Sequence, residues 1–212
     1  MENKVDTEVK TEMEQRILEA ACTLFYKQGY ANTSTIQIAQ AVGCNQALVH
    51  YYFRTKENLF HQIFMYQIKS AWNVFERSIQ SDMKFEELVG HVIDMYFDAL
   101  SRNRELPFFV LQELITNEER RKYLREQLIE TPTFALIVMQ IDGILKKEYE
   151  AGRIRQIEGL DLVMDIAGLT VFSFLTLPMY KDLFSRSDSE VEEYLQHRKK
   201  EIKDTILSRL KP

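Results

Sequence analysis

Cysteine, glycine, proline and net positive charge are all scarce in this chain. Its 212 residues hold only two cysteines, Cys22 and Cys44, at no framework spacing, which excludes a disulfide scaffold and suits a reducing compartment. Among the seven glycines and four prolines there is no glycine-rich phosphate loop and no nucleophile elbow. The four histidines stand in separate segments, without zinc-ligand spacing. These absences argue against an enzyme, and no cofactor or metal is expected. The longest uncharged run, Ile166 to Tyr180, is 15 residues and contains Pro178, short of the roughly 20 that cross a bilayer. Met1 to Thr11 is polar and acidic, unlike a signal peptide. The expectation is a cytoplasmic protein without a membrane anchor, opening on a disordered tail over residues 1–11. A formal net charge of −5 is not the footprint of a strongly basic, non-specific nucleic-acid binder.

What the chain does have is apolar residues, 45% of the total, recurring at three- and four-residue spacing nearly throughout. No stretch alternates as a strand would, so the fold class is all-α, with about nine helices. Residues Ser34 to Lys56, STIQIAQAVGCNQALVHYYFRTK, predict two short helices joined by a turn. Ser34 can accept the Gln37 amide while the Gln37 side chain returns to the Ser34 amide, a capping box. Ile36, Ile38, Ala39 and Val42 are expected to form the first helix's packing surface. Gly43 supplies the backbone freedom of a tight turn, and Asn45 is a good N-cap for the second helix. On that helix Val49 and Phe53, four apart, share an inner face. Ala47, His50 and Tyr51 fall outside, and Gln46 sits in the first turn.

An apolar inner stripe with a polar and aromatic outer one is what a helix seated in a major groove requires. Gln46 could pair with adenine N6 and N7, and the Ala47 methyl could meet a thymine methyl. Capping alone accounts for Thr33 and Ser34, so their contact role stays open. Between Met13 and Phe60, Arg16, Lys27, Arg54 and Lys56 face Glu14, Glu19 and Glu57, which makes the presumed reading domain nearly neutral.

Four linked pieces, ILEAACTLFYKQGY, TSTIQIAQAVG, the segment ending HYYF, and KENLF, together resemble the DNA-binding domain of the tetracycline-repressor (TetR) family, over about Ile17 to Phe64. Outside that third of the chain the likeness lies in helical content and the phrase EAGRIR at 150–155. Many members carry glycine where this chain has Ala47, and a leucine–tyrosine pair where it has Val49 and His50. The resemblance implies phosphate contacts at Thr33, Ser34 and Thr35, at the start of the second helix, and at Tyr52. It implies a groove-facing set of Gln46, Ala47, His50 and Tyr51 just after Asn45, and a backbone-clamping lysine at Lys56. The partners implied are double-stranded DNA bearing a palindromic operator, a small-molecule effector and a second copy of the chain. The function so implied is a ligand-released repressor. The weak charge of the first domain leaves an alternative, a helical ligand-binding or interaction module that no longer reads DNA.

The domains expected are a helix-turn-helix domain over 12–57, opened by a Thr11–Glu14 capping box, and a helical effector-binding and dimerisation domain over 58–212. A long helix from Thr55 to about Gln80 would link them. Further helices are predicted over Phe85–Ser101, from Pro107, from Asn117, and from Thr131 to Tyr149 with Gly152 near its C-cap. The segment Gly159–Leu177 is apolar nearly all round and Ser187–Leu210 is amphipathic, so these last two long helices are the expected homodimer interface. Trp72, Phe75, Met95, Tyr96, Phe108, Phe109, Met139 and Phe172 are the candidates to line a pocket for an apolar or aromatic effector. The same residues would equally fill a core. Glu87, His91 and Asp94 share one helix face, which reads more readily as a solvated face than as a metal cluster.

Overall fold

A computed structural model describes residues 2–66, 83–130 and 132–212. Among the described residues the regular elements are eleven helices: α1 (Glu2–Gln28), α2 (Thr35–Val42), α3 (Gln46–Phe53), α4 (56–66), α5 (Phe85–Arg102), α6 (Leu106–Thr116), α7 (Glu118–Glu130), α8 (Pro132–Glu150), α9 (Gly159–Leu175), α10 (Leu177–Leu183) and α11 (Asp188–Leu210). The chain divides into compact units of Met1–Ser70 and Ala71–Pro212. The first unit runs past residue 57 because Leu59, Phe60, Ile63 and Phe64 of α4 are buried. Trp72, Phe75 and the expected course of that helix to Gln80 lie outside the described residues.

The first unit is a small aromatic core. Ile17, Ala21 and Phe25 of α1 are fully buried, at the spacing of one helical stripe. Phe60 stands edge-on to Phe25, at 6.1 Å between centroids, and to Tyr30, at 5.3 Å. Phe64 stacks on Phe60 at 5.7 Å. Helix α1 begins at Glu2, ahead of the start expected at Thr11. Residues 2–11 contain no glycine or proline to stop a helix.

The second unit is built round α5, α9 and α11. Val89, Ile93, Phe97 and Leu100 pack with Leu162, Ile166 and Phe174, and with Leu195, Ile202 and Ile206. Ion pairs rim the α5–α11 contact, Lys199 with Asp98 at 2.7 Å and Lys203 with Asp94 at 2.9 Å. Asp94 therefore serves a helix–helix tie, on the very face where Glu87, His91 and Asp94 were grouped. Helix α8 is locked to the start of α9: Asp142 Oδ1 accepts from the Gly159 amide at 2.7 Å. Glu113 of α6 and Arg120 of α7 form a buried ion pair. Asn117 caps α7 by accepting the Arg120 amide, and Gly152, with φ +68°, follows α8. Ser187 and Glu190 form a capping box at the head of α11.

The short helix α10 has no counterpart among the helices expected from sequence, where the apolar segment ends at Leu177 and the next helix opens at Ser187. The chain breaks at Thr176, and Pro178 sits in the first turn of α10, where a missing N–H costs nothing. No single helix among the described residues is long and apolar enough to cross a membrane, although α9 and α10 pass together as a pair bent by 41°.

Candidate nucleic-acid interface

Helix α2 is fixed at both ends by short-range chemistry. The Gln37 amide donates to Ser34 Oγ at 3.2 Å and the Ser34 amide to Gln37 Oε1 at 2.8 Å, which completes the capping box. Gly43 takes φ +76°, the left-handed conformation that costs a side-chain-bearing residue energy. Its amide and that of Cys44 return to the last carbonyls of α2. Ile38, Ala39 and Val42 are buried, whereas Ile36 is 52% exposed. The expectation that Ile36 packs inward is corrected. At 3.6 residues per turn it lies about 120° from Val42.

Asn45 starts α3 by accepting the Leu48 amide at 2.8 Å. Val49 and Phe53 are then buried, which leaves Gln46, Ala47 and His50 exposed and Tyr51 65% exposed. Tyr52 is half-buried, with its ring 5.2 Å from that of Tyr51. The outer face is polar and already ordered. Gln46 Nε2 donates to Thr35 Oγ1 at 2.8 Å and lies 3.2 Å from His50 Nε2. His50 Nδ1 is 2.9 Å from the Arg54 carbonyl oxygen.

Beside α3 lies an open notch lined by residues 31–35, His50, Arg54, Thr55 and Lys56. It sits at the N-terminal end of α2, where helical amides lack carbonyl partners and favour an anion. Two of the residues expected to touch phosphate have other duties here. Thr33 is 2% exposed, and its hydroxyl donates to the Gly29 carbonyl at 2.9 Å. That corrects a hydroxyl–phosphate role, because a buried hydroxyl must satisfy itself inside the protein. Lys56 Nζ donates to the carbonyls of Tyr30 at 2.9 Å and Thr33 at 2.8 Å, and sits 4.0 Å from the Tyr30 ring centroid. It therefore ties α4 to the loop after α1, whatever its remaining capacity toward a backbone. Ser34 is exposed and Thr35 half-buried at the notch.

Arg54 was counted in the sequence only as a charge. It is exposed, lines the notch, and has φ +61°. Nothing in its local sequence signals that conformation, which comes from the turn between α3 and α4.

Among the described residues the effector candidates differ widely in exposure. Phe109 is buried, while Met95 and Tyr96 are half-buried on α5. Burial pushes the Tyr96 phenol up from its ordinary value. Phe108, Met139 and Phe172 are 62%, 68% and 65% exposed. These three face outward within one chain. Each lies on the side of its helix away from the buried residues: Phe109 and Glu113 on α6, Ile141 and Leu145 on α8, Ile166, Thr170 and Phe174 on α9.

A capped, glycine-turned pair of short helices with a polar outer face, joined to a larger all-helical unit, defines a helix-turn-helix protein. Two family models match it: bacterial regulatory proteins of the tetR family over residues 17–63, and the tetracyclin repressor-like C-terminal domain over residues 86–206. The chain belongs to the tetR family, and is a transcriptional regulator and not an enzyme. It is 34% identical to the HTH-type transcriptional regulator AcrR of Shigella flexneri, a match covering 54% of this chain and 47% of that protein, so about half of AcrR's length is spanned. It is 24% identical to the fatty acid metabolism regulator protein of Bacillus subtilis, over 84% of this chain and 91% of the relative. The solved structure of the regulator FadR from Bacillus subtilis in complex with stearoyl-CoA shares the fold, with a TM-score of 0.70 at 21% identity over 92% of this chain and 98% of that one.

Proposed function

We propose that this regulator binds a palindromic operator as a homodimer, represses transcription there, and is released by an apolar or aromatic effector. The observation that carries the DNA-reading part is the outer face of α3. Gln46, Ala47, His50 and Tyr51 stand in solvent beside a notch bearing Ser34, Thr35 and Arg54. Exposed hydrogen-bonding groups on a helix rigidly seated by Val49 and Phe53 can meet base edges, while hydroxyls, helix amides and a guanidinium meet phosphate. Asn45 and Tyr52 flank that face at its two ends.

The dimer reading rests on α9. Leu160, Met164 and Phe172 expose apolar side chains at four- and eight-residue intervals, with Gly168 completing the stripe. A row of this kind is suited to a second helix of the same sort, and Gly168 permits close approach. Helix α11, packed on α9 through the common core, would complete a four-helix bundle with the second copy. A regulator of this kind acts on DNA and so in the cytoplasm. An effector shifts the dimer between geometries by no more than its difference in affinity for them. The apolar character of Met95, Phe109 and the Tyr96 ring supports an apolar ligand, and the stearoyl-CoA in the FadR structure makes a long-chain acyl thioester the first probe.

The experiment is selection of genomic fragments by the purified full-length chain, followed by binding of His50→Ala and Tyr51→Ala to the selected site. Each substitution is expected to weaken binding and relax sequence preference by about 1–3 kcal/mol. Unchanged sequence preference in both variants removes the assigned readout. Titrating stearoyl-CoA into the complex tests release.

A further inference from the structure

Gln46 carries two amide protons and one carbonyl oxygen, and the bonds around it decide which of these is left for DNA. The order is set from Arg54, whose carbonyl oxygen can only accept. His50 Nδ1 lies 2.9 Å from that oxygen, so Nδ1 carries the ring proton, and in the neutral imidazole Nε2 is then a lone pair. Gln46 Nε2 stands 3.2 Å from His50 Nε2 and must donate to it. The other amide proton goes to Thr35 Oγ1 at 2.8 Å. Turning the amide over would set its oxygen against the imidazole lone pair, so its orientation follows from the chain of bonds. The chain ends on a residue held at φ +61°, a conformation that a non-glycine residue keeps only where its surroundings enforce it.

Resting on the DNA-reading role proposed above, we infer that Gln46 meets the major groove through Oε1 alone. It selects an exocyclic amino group, adenine N6 or cytosine N4, with Thr35 and His50 as the positioning residues. The keto-bearing bases offer acceptors at the same place, guanine O6 and thymine O4, which an acceptor repels. A glutamine with its amide free would instead take adenine alone, by donating to N7 while accepting from N6. Cytosine carries no acceptor equivalent to N7, so it is expected to be at least as good a partner here as adenine.

Two measurements test this on the full-length protein. The first is the ¹⁵N spectrum of the His50 ring in the absence of DNA, expected to report the Nδ1–H tautomer; an Nε2–H tautomer overturns the inference. The second uses the fragment selected by the wild-type chain, with all four bases placed at the position that Gln46→Ala makes indifferent. Wild type is expected to bind the adenine and cytosine versions about fivefold or more tighter than the guanine and thymine versions. Thr35→Val, which frees an amide proton, should move that preference toward adenine. A wild-type preference for adenine over cytosine as strong as that over guanine overturns the inference, as does a Gln46→Ala variant that relaxes no position. Specific selection with the wrong base preference defeats this inference alone. Failure to retain any specific fragment defeats the DNA-reading role as well.

Discussion

Helices α3 and α9 each bury one side and leave the other open, and the open sides are chemical opposites. On α3 the outward residues are Gln46, Ala47, His50 and Tyr51, all but Ala47 with polar tips, and Gln46 and His50 are tied to Thr35 and to the Arg54 carbonyl. On α9, beyond Asp161 in its first turn, they are the apolar stripe Leu160, Met164, Gly168 and Phe172, whose side chains offer no hydrogen-bond donor. The inner sides are alike, being Val49 and Phe53 in one helix and Leu162, Ile166 and Phe174 in the other. An inner side therefore records only that a helix packs on its own unit. The outer side records the chemistry of what comes from outside, hydrogen-bonding edges for α3 and another apolar surface for α9.

The most disruptive way to break this contrast is to give α9 a polar outer face. Phe172→Glu is expected to split the dimer and lower operator affinity by about hundredfold or more, because a carboxylate would lose its water at an apolar contact. Sedimentation and operator binding measured on one sample would check it, and a variant that stays dimeric would count against α9. The inner side of α9 is probed by Gly159→Ala. An added Cβ would stand 2.7 Å from Asp142 Oδ1 and 2.9 Å from Ile141 Cγ2, and the buried, β-branched Ile141 has little room to move. A loss of about 1–3 kcal/mol in denaturant unfolding is expected, with the far-ultraviolet spectrum unchanged.

Gly43→Ala probes the turn that aims α3. Nothing lies within 4 Å of the new methyl, so the cost is only that of holding φ +76°, about 1 kcal/mol. Thermal unfolding would measure it, and base preference should not change.

The smallest effect is at the head of α11. The Ser187 amide, the Arg186 guanidinium and the Ser187 hydroxyl donate to Glu190 and pull its carboxyl from an ordinary 4.5 down to about 2. A lowered value in the folded state means stability that is present above pH 4.5 and is lost as the pH falls toward 2. The stability gap between wild type and Glu190→Ala should shrink across that acid window in a melting series. A gap that stays constant with pH would show that the carboxylate contributes nothing through its charge.

How much of this could be read in the sequence follows from the reach of each interaction. Ser34, Gln37, Gly43 and Asn45 act within three or four residues, so the two caps and the turn were legible. So were Val49 and Phe53 as the inner stripe of α3. Ile36 was misread because being apolar does not fix the side of a helix on which a residue falls. The ties of Lys56 to Tyr30 and Thr33 depend on a loop folding back across 23 to 26 residues, and no local pattern encodes that. The side on which Phe172 falls was not legible for a further reason. A helix apolar on every side gives no periodicity to tell a filled core from a surface awaiting a partner.

The tie made by Lys56 bears on how this protein would search a chromosome. Part of its ammonium's donor capacity goes to two backbone carbonyls, and Arg16 is likewise held on the Val42 carbonyl at 2.9 Å. Both keep their charge but are held in place, so they can meet only phosphates that come to them, and the grip on arbitrary DNA should be loose. A regulator of this build would leave wrong sites quickly, and its residence at the right one would depend on neutral contacts with the bases.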